Sequence, residues 1–286
     1  MVWLLIGANP EGILNALKQA IPKPAKKLIR NLYLGVLDLA DASTRRVDMI
    51  PPRRMHFVGN GEYKAVGLEF KDLFIRRGGL RPEHRVLDVG CGQGRMAAPL
   101  TGYLTGEYEG FDIVESGVKW CQKNITSRYP RFQFRHSDVK NASYNPGGKF
   151  EASSYRFPYE DGSFDFVFLT SVFTHMFPDD MNNYLKEISR VMKTGGSCFI
   201  TMFLLNGESQ TLIDSKQSTT DFSHVLEGCV TSNPEHPEDA LAFDEGVVRR
   251  EFTRHRLNIV DPIHFGSWCG REKFVSYQDI VVAKKV

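Results

Sequence analysis

The sequence predicts an α/β protein built on a doubly wound parallel sheet, and three observations carry that expectation. From Arg85 onward, short apolar runs alternate with helical stretches. A glycine-rich turn, Gly90-Cys91-Gly92-Gln93-Gly94, follows the first of those runs and opens a helix. Two strand-like runs near the end are joined by too few residues for a helical crossover.

The elements follow in order. Pro22, Pro24 and Pro51-Pro52 interrupt the first part of the chain, where Ile13, Leu14, Leu17 and Ile21 share one helical face, so residues 1–55 read as a helical extension. A segment 56–83 leads into the core; it carries a helix over 62–77 with Val66, Phe70, Leu73 and Phe74 at helical spacing, ended by Gly78-Gly79. The core itself spans 84–286. Strands are expected at 85–89, 108–113, 132–135, 164–170 and 197–204, with helices over 93–104, 115–128 and 179–194 between them. In the last of these Asp179 is the expected cap, Met181, Leu185, Ile188 and Met192 line one face, and Gly195-Gly196 stop it. A helix near 244–256 precedes the runs 257–263 and 274–283, which pair as an antiparallel hairpin. Residues 206–243 form a long insertion, either a lid on the substrate side or a plain loop.

Composition excludes several classes. Of 286 residues, 42% are hydrophobic and 24% charged, which rules out disorder, collagen and coiled coil. The apolar run 166–177 is interrupted by Thr170, Ser171, Thr174 and His175, so it does not span a membrane. The apolar start MVWLLIG lacks a basic lead and a small-residue cleavage site, so no signal peptide is expected. Five scattered cysteines without a CxxC pair fit reduced thiols in a cytoplasm better than disulfides or zinc. The net charge of +2 hides a division: residues 1–56 hold nine Lys/Arg against four acids, net +5, and the remainder is therefore net −3.

The chemistry lies at the glycine turn. Glycines there let the backbone bend tightly and approach a ligand without Cβ obstruction. Asp112 ends the next strand, where an acid can accept from two ribose hydroxyls, so the pair points to an adenosine-type ligand. A dinucleotide fingerprint would put a third small residue at position 95, which is Arg95, so the nicotinamide reading falls away.

The sequence DVGCGQG over 88–94, the acid at 112, Ser137-Asp138 after the third strand and FPYEDGSFDFVFLTSVFTH leading into LKEISRVMKTGG resemble the class I S-adenosylmethionine-dependent methyltransferases. The resemblance covers about 84–204, and the closing hairpin agrees with that family's seven-stranded Rossmann-like sheet; Thr194 stands where many relatives have proline. It implies S-adenosyl-L-methionine as cofactor. Gly90 and Gly92 would line its methionine part, with Asp88 near the amino group, directly or through water. Asp112 would hold the ribose and Ile113 pack on the adenine. Asp138, with Val139 beside it, would accept from the adenine amino group, and Thr170 would contribute backbone near the methionine amine.

Methyl transfer from a sulfonium needs an in-line nucleophile, orientation and exclusion of water more than acid catalysis, and no metal is required. A hydroxyl acceptor gains from a base, and His175, just beyond the fourth strand, is the candidate; the competing reading is a histidine that only packs the loop. Ser267, Trp268 and Arg271 in the hairpin connection, and Tyr63 in the segment HFVGNGEY, are the candidate substrate-side residues. No basic stripe interleaved with aromatics runs through the acidic core, so a small-molecule acceptor is favoured over nucleic acid; a membrane contact of the basic extension would suit a lipophilic one. Residues 1–55 offer a peripheral membrane contact or, the favoured reading, packing on the core or a second subunit. The alternative class is a non-catalytic cofactor-binding scaffold that kept the fold.

Overall fold

The computed structural model describes residues 49–55 and 62–286, together with Gly35 and Asp38. The chain forms two compact units, 1–58 and 59–286. In the first, the Arg53 N–H donates to Asp38 at 2.7 Å, at the start of a single helical turn, Arg53–Met55. The expected helices before Met49, and any membrane or dimer contact through them, lie outside the described residues.

The larger unit is the expected α/β sheet with three strands added. Its parallel core runs β3 (Phe132–His136), β2 (Tyr108–Asp112), β1 (Val86–Val89), β4 (Phe164–Leu169) and β5 (Met192–Leu205). β1 and β2 are buried at every residue, as strands covered on both faces must be. The C-terminal hairpin is present: β10 (Asp279–Lys285) pairs antiparallel with β5 and with β9 (Leu257–Ile259). Both strands are shorter than their apolar runs, because the connection needs residues 260–278.

Helices cover both faces. On one, α1 (Tyr63–Arg76) begins at Glu62, whose carboxylate accepts from the Lys64 and Ala65 N–H groups. It seats Phe74 among the sheet aromatics, with ring centroids 4.4 Å from Phe168 and 4.9 Å from Phe199. On the other, α4 (Pro178–Val191) buries Met181, Leu185 and Ile188. Its cap differs from expectation: Phe177 is the cap residue, Pro178 takes the first helical position, and Asp180 rather than Asp179 reaches back to the Phe177 N–H at 3.2 Å. Gly195-Gly196 do not end this helix. They sit within β5, where the register with β4 shifts, and Gly195 has φ +80°. After the glycine turn only α2 (Ala97–Leu100) is regular helix, and α3 (Glu115–Cys121) widens into a π-turn at Gln122–Thr126.

The 206–243 stretch is not a plain loop. α5 (Gly207–Asp214) is followed by β6 (His224–Leu226), β7 (Cys229–Thr231) and β8 (Leu241–Asp244), so the sheet has ten strands rather than seven. β8 runs parallel to the last residues of β5, Phe203–Leu205, and leads into α6 (Glu245–Arg254). Because β5 outlasts β4, which ends at Leu169, this small sheet is carried to the carboxyl-terminal edge of the core. That is the edge where doubly wound sheets bind ligands. Among the described residues no helix is long and apolar enough to cross a membrane.

Candidate active site

Three glycines of the turn after β1 hold left-handed backbone: Gly90 at φ +82°, Gly92 at +53° and Gly94 at +76°. Any side chain there would be strained. A Cβ on Gly90 would come 2.4 Å from Val172 Cγ2, and one on Gly94 would come 2.6 Å from Ile125 Cδ1. The turn is thus pressed between the segment after β4 and the helix after β2. Its spacing, G-x-G-x-G, follows from that alternation.

Asp112 fastens the turn from β2. One carboxylate oxygen accepts the Gly92 N–H at 2.7 Å and the other accepts the Val114 N–H at 2.7 Å. Each oxygen has two lone pairs, so each keeps one for a further donor such as a ribose hydroxyl. Burial pushes this carboxyl above its usual range, and the two N–H donors work against that. Ile113 next to it is half-buried. The cradle and its remaining acceptors fit the adenosyl group that the sequence implies.

Asp88 lies beneath the turn. It is 1% exposed, takes a hydrogen bond from the Tyr108 hydroxyl, and its other oxygen has no partner among the described residues. Burial pushes its carboxyl up to about 8. Asp138 is more open: Asn145 Nδ2 donates to it at 3.2 Å and Lys149 stands 3.6 Å away, and these partners hold its carboxyl below the usual range. Val139 is buried in the hydrophobic core, so only its backbone faces this loop. Thr170 is half-buried at the end of β4.

His175 closes a turn, Phe173–His175, at the carboxyl edge of β4. Its Nδ1 lies 2.7 Å from the Glu238 carbonyl, and Tyr144 packs edge-on against its ring at 5.4 Å. Burial lowers its pKa from the ordinary histidine value. Glu238 belongs to the insertion, so the insertion reaches the turn that carries His175.

Two substrate-side expectations are corrected. Trp268 does not wall a pocket: it is fully buried, stacks edge-on with Phe203 and Phe222, and donates Nε1–H to Asp279 at 2.7 Å. Arg271 is 5% exposed and bridges Asp279 at 3.3 Å and Glu208 at 2.8 Å, tying the hairpin connection to α5. A buried indole N–H and a buried guanidinium both need fixed partners, and Asp279 supplies one to each. Ser267 is half-buried and its backbone N–H donates to Ser276. Tyr63 supports the glycine turn, donating its hydroxyl to the Gln93 carbonyl at 2.8 Å with the Arg95 guanidinium over its ring.

A second polar group at this edge was not foreseen. Ser171 stands at φ +59°, its N–H donates to Thr201 Oγ1 at 2.8 Å, and both hydroxyls meet Gln278 Oε1, at 3.0 and 2.6 Å. Ser171 carries no sequence signal of its own, and Gln278 falls inside what reads as a strand. Glu238 was equally hidden, since it meets His175 with its backbone carbonyl.

Residues 87–200 match the family model of a methyltransferase domain. A solved structure, the PH0226 protein from Pyrococcus horikoshii, superposes with TM-score 0.55 at 18% identity, covering 79% of this chain and 93% of that one. An uncharacterized protein from Haemophilus influenzae is 24% identical over 159 residues, 55% of this chain and 58% of that protein. The 27-O-demethylrifamycin SV methyltransferase of Amycolatopsis mediterranei is 28% identical over 127 residues, 44% of this chain and 41% of that protein. The chain therefore spans little more than half, or less, of the length of these curated relatives. The family match covers the part of the chain that holds the glycine turn, Asp112, Asp138 and His175, and the superposition shows that the larger unit shares the fold of the PH0226 protein.

Proposed function

We propose that this protein is an enzyme that transfers a methyl group from S-adenosyl-L-methionine to the hydroxyl of a small-molecule acceptor, without a metal. The observation that carries this reading is the glycine turn fastened by Asp112 with one acceptor lone pair left on each oxygen. A scaffold that had lost its cofactor would have no need of an acid that keeps free acceptors beside a turn of three left-handed glycines. When bound, the cofactor supplies an electrophilic methyl group on a sulfonium sulfur. Gly90 and Gly92 line its methionine part, Asp112 holds the ribose, and Asp138 receives the adenine amino group. Thr170 lends backbone near the methionine amine.

His175 is the residue proposed to meet the acceptor. Burial keeps it neutral near neutral pH, the state in which it can take a proton. The rifamycin relative, by its name, acts on an oxygen of a small molecule, which supports an oxygen acceptor here. The acidic balance of residues 57–286 weighs against nucleic acid.

Calorimetry with S-adenosylmethionine and S-adenosylhomocysteine tests the cofactor half of the proposal. Micromolar binding of both is expected on the order of a typical cofactor site. No heat with either ligand would leave the scaffold reading in its place. Release of S-adenosylhomocysteine over a panel of hydroxylated, amino and thiol acceptors then tests the acceptor half; turnover confined to amines or thiols rejects the hydroxyl.

A further inference from the structure

The insertion 206–243 meets the catalytic edge through its Pro237–Asp239 turn, where Glu238 reaches across with two separate arms. Its backbone carbonyl faces His175 Nδ1 at 2.7 Å. Its side-chain Oε2 accepts the Ala142 N–H at 2.6 Å, on the loop that also carries Tyr144, whose ring packs edge-on against His175. Ser143 Oγ stands 3.4 Å from Asp239 Oδ1, and Asn233 Nδ2 donates to the other oxygen of Asp239 at 2.9 Å. The Pro237–Asp239 turn is held in turn by the fully buried Thr231, whose Oγ1 lies 3.1 Å from the Pro237 carbonyl and 3.0 Å from that of Ala240.

A carbonyl oxygen only accepts, so Nδ1 of His175 must carry a proton in this arrangement. A neutral imidazole has one protonated nitrogen, which leaves the lone pair on Nε2. We propose that Glu238 is a positioning residue that fixes His175 in the Nδ1–H form, so that Nε2 is the atom that receives the proton of a hydroxyl acceptor. This rests on the reading of His175 as the base. The hydroxyl proton ends on Nε2 as the acceptor oxygen gains the methyl group and sulfur keeps the electron pair of the broken carbon–sulfur bond. The insertion thereby has a function distinct from covering the site: it sets which nitrogen of the base is available.

The test reads the tautomer directly and needs no acceptor. Full-length protein labelled with 15N-histidine is recorded by long-range proton–nitrogen correlation above the titration of His175, with His175→Gln to assign its ring. The wild-type ring is expected to show a protonated Nδ1 and a bare Nε2. Glu238→Gln, which retains a side-chain oxygen for Ala142, is expected to keep that pattern. Glu238→Ala is expected to lose it toward the averaged pattern of a free imidazole. A protonated Nε2 in the wild type overturns the proposal whether or not either variant folds. An unchanged pattern in a folded Glu238→Ala protein also overturns the role of the side chain. S-adenosylhomocysteine calorimetry on the same samples separates the two levels: absent binding defeats the proposed enzyme function, while the tautomer result stands by itself.

Discussion

The backbone N–H of Gly92 donates to Asp112 Oδ2 at 2.7 Å, so the turn after β1 and the end of β2 are one unit. Asp112 holds the turn and, in the proposed function, also offers its remaining lone pairs to a ribose. Asp112→Asn tests both. An amide presents an oxygen to only one of the two N–H groups and sets its NH2 against the other. We expect stability to fall by about 1–3 kcal/mol, the cost of a buried donor left unpaired. Affinity for S-adenosylhomocysteine is expected to fall by about tenfold or more, for the loss of about one charge-assisted bond. Denaturant titration and calorimetry measure the two, and wild-type affinity in the variant would remove Asp112 from the ligand.

Asp88 makes stability depend on pH. Its carboxyl is pushed up to about 8 by burial, whereas in the unfolded chain it titrates near the ordinary value for aspartate. Between these two values the folded protein holds a proton that the unfolded chain has released. The contribution of Asp88 is therefore fully present below the unfolded value and is lost as pH rises through about 8. In Asp88→Asn the group no longer titrates. Relative to wild type, the variant is expected to gain stability steadily from pH 5 to about 8 and to level off above that, by on the order of several kcal/mol in total. Any constant offset from the new amide does not affect that slope. Urea unfolding of both proteins at three pH values in this range checks it, and parallel curves would reject a raised Asp88.

His175→Ala removes the proposed base while leaving the glycine turn and Asp112 untouched. Turnover with a hydroxyl acceptor is expected to fall about a hundredfold, the lower end of general-base contributions. Affinity for S-adenosylhomocysteine should stay near that of wild type. Unchanged turnover would return His175 to a packing role.

The parts of the site that the sequence made legible are those fixed by backbone geometry. Gly90, Gly92 and Gly94 had to be glycine because their φ angles are positive, and Asp112 had to be an acid that caps two N–H groups. Such requirements leave a residue type at a set spacing. Trp268 and Arg271 were misread because a buried ion-pair partner, Asp279, comes from a different stretch of the chain and nothing local announces it. Glu238 was invisible for a related reason: any residue supplies the carbonyl that meets His175, and the partner of its side chain, the Ala142 N–H, lies far away in the chain. The insertion strands were missed because three-residue strands such as Cys229–Thr231 are too short to show a period.

The end of α5 offers a stability test that leaves the proposed chemistry untouched. The helix closes with the Lys216 N–H donating to the Ile213 carbonyl at 2.9 Å and the Gln217 N–H to the Leu212 carbonyl at 3.0 Å. That pattern needs left-handed backbone at the first residue past the cap, a position that most often holds glycine. Here it is Lys216, at φ +59° and exposed to solvent. The lysine side chain makes no hydrogen bond or ion pair among the described residues, so little is lost by removing it. Lys216→Gly relieves the Cβ strain, worth about 1 kcal/mol, against a smaller entropic cost from the freer unfolded chain. The variant is expected to unfold at higher urea concentration with an unchanged slope. S-adenosylhomocysteine binding should be unaltered. A lower midpoint would mean that the left-handed turn at Lys216 is not adopted in solution.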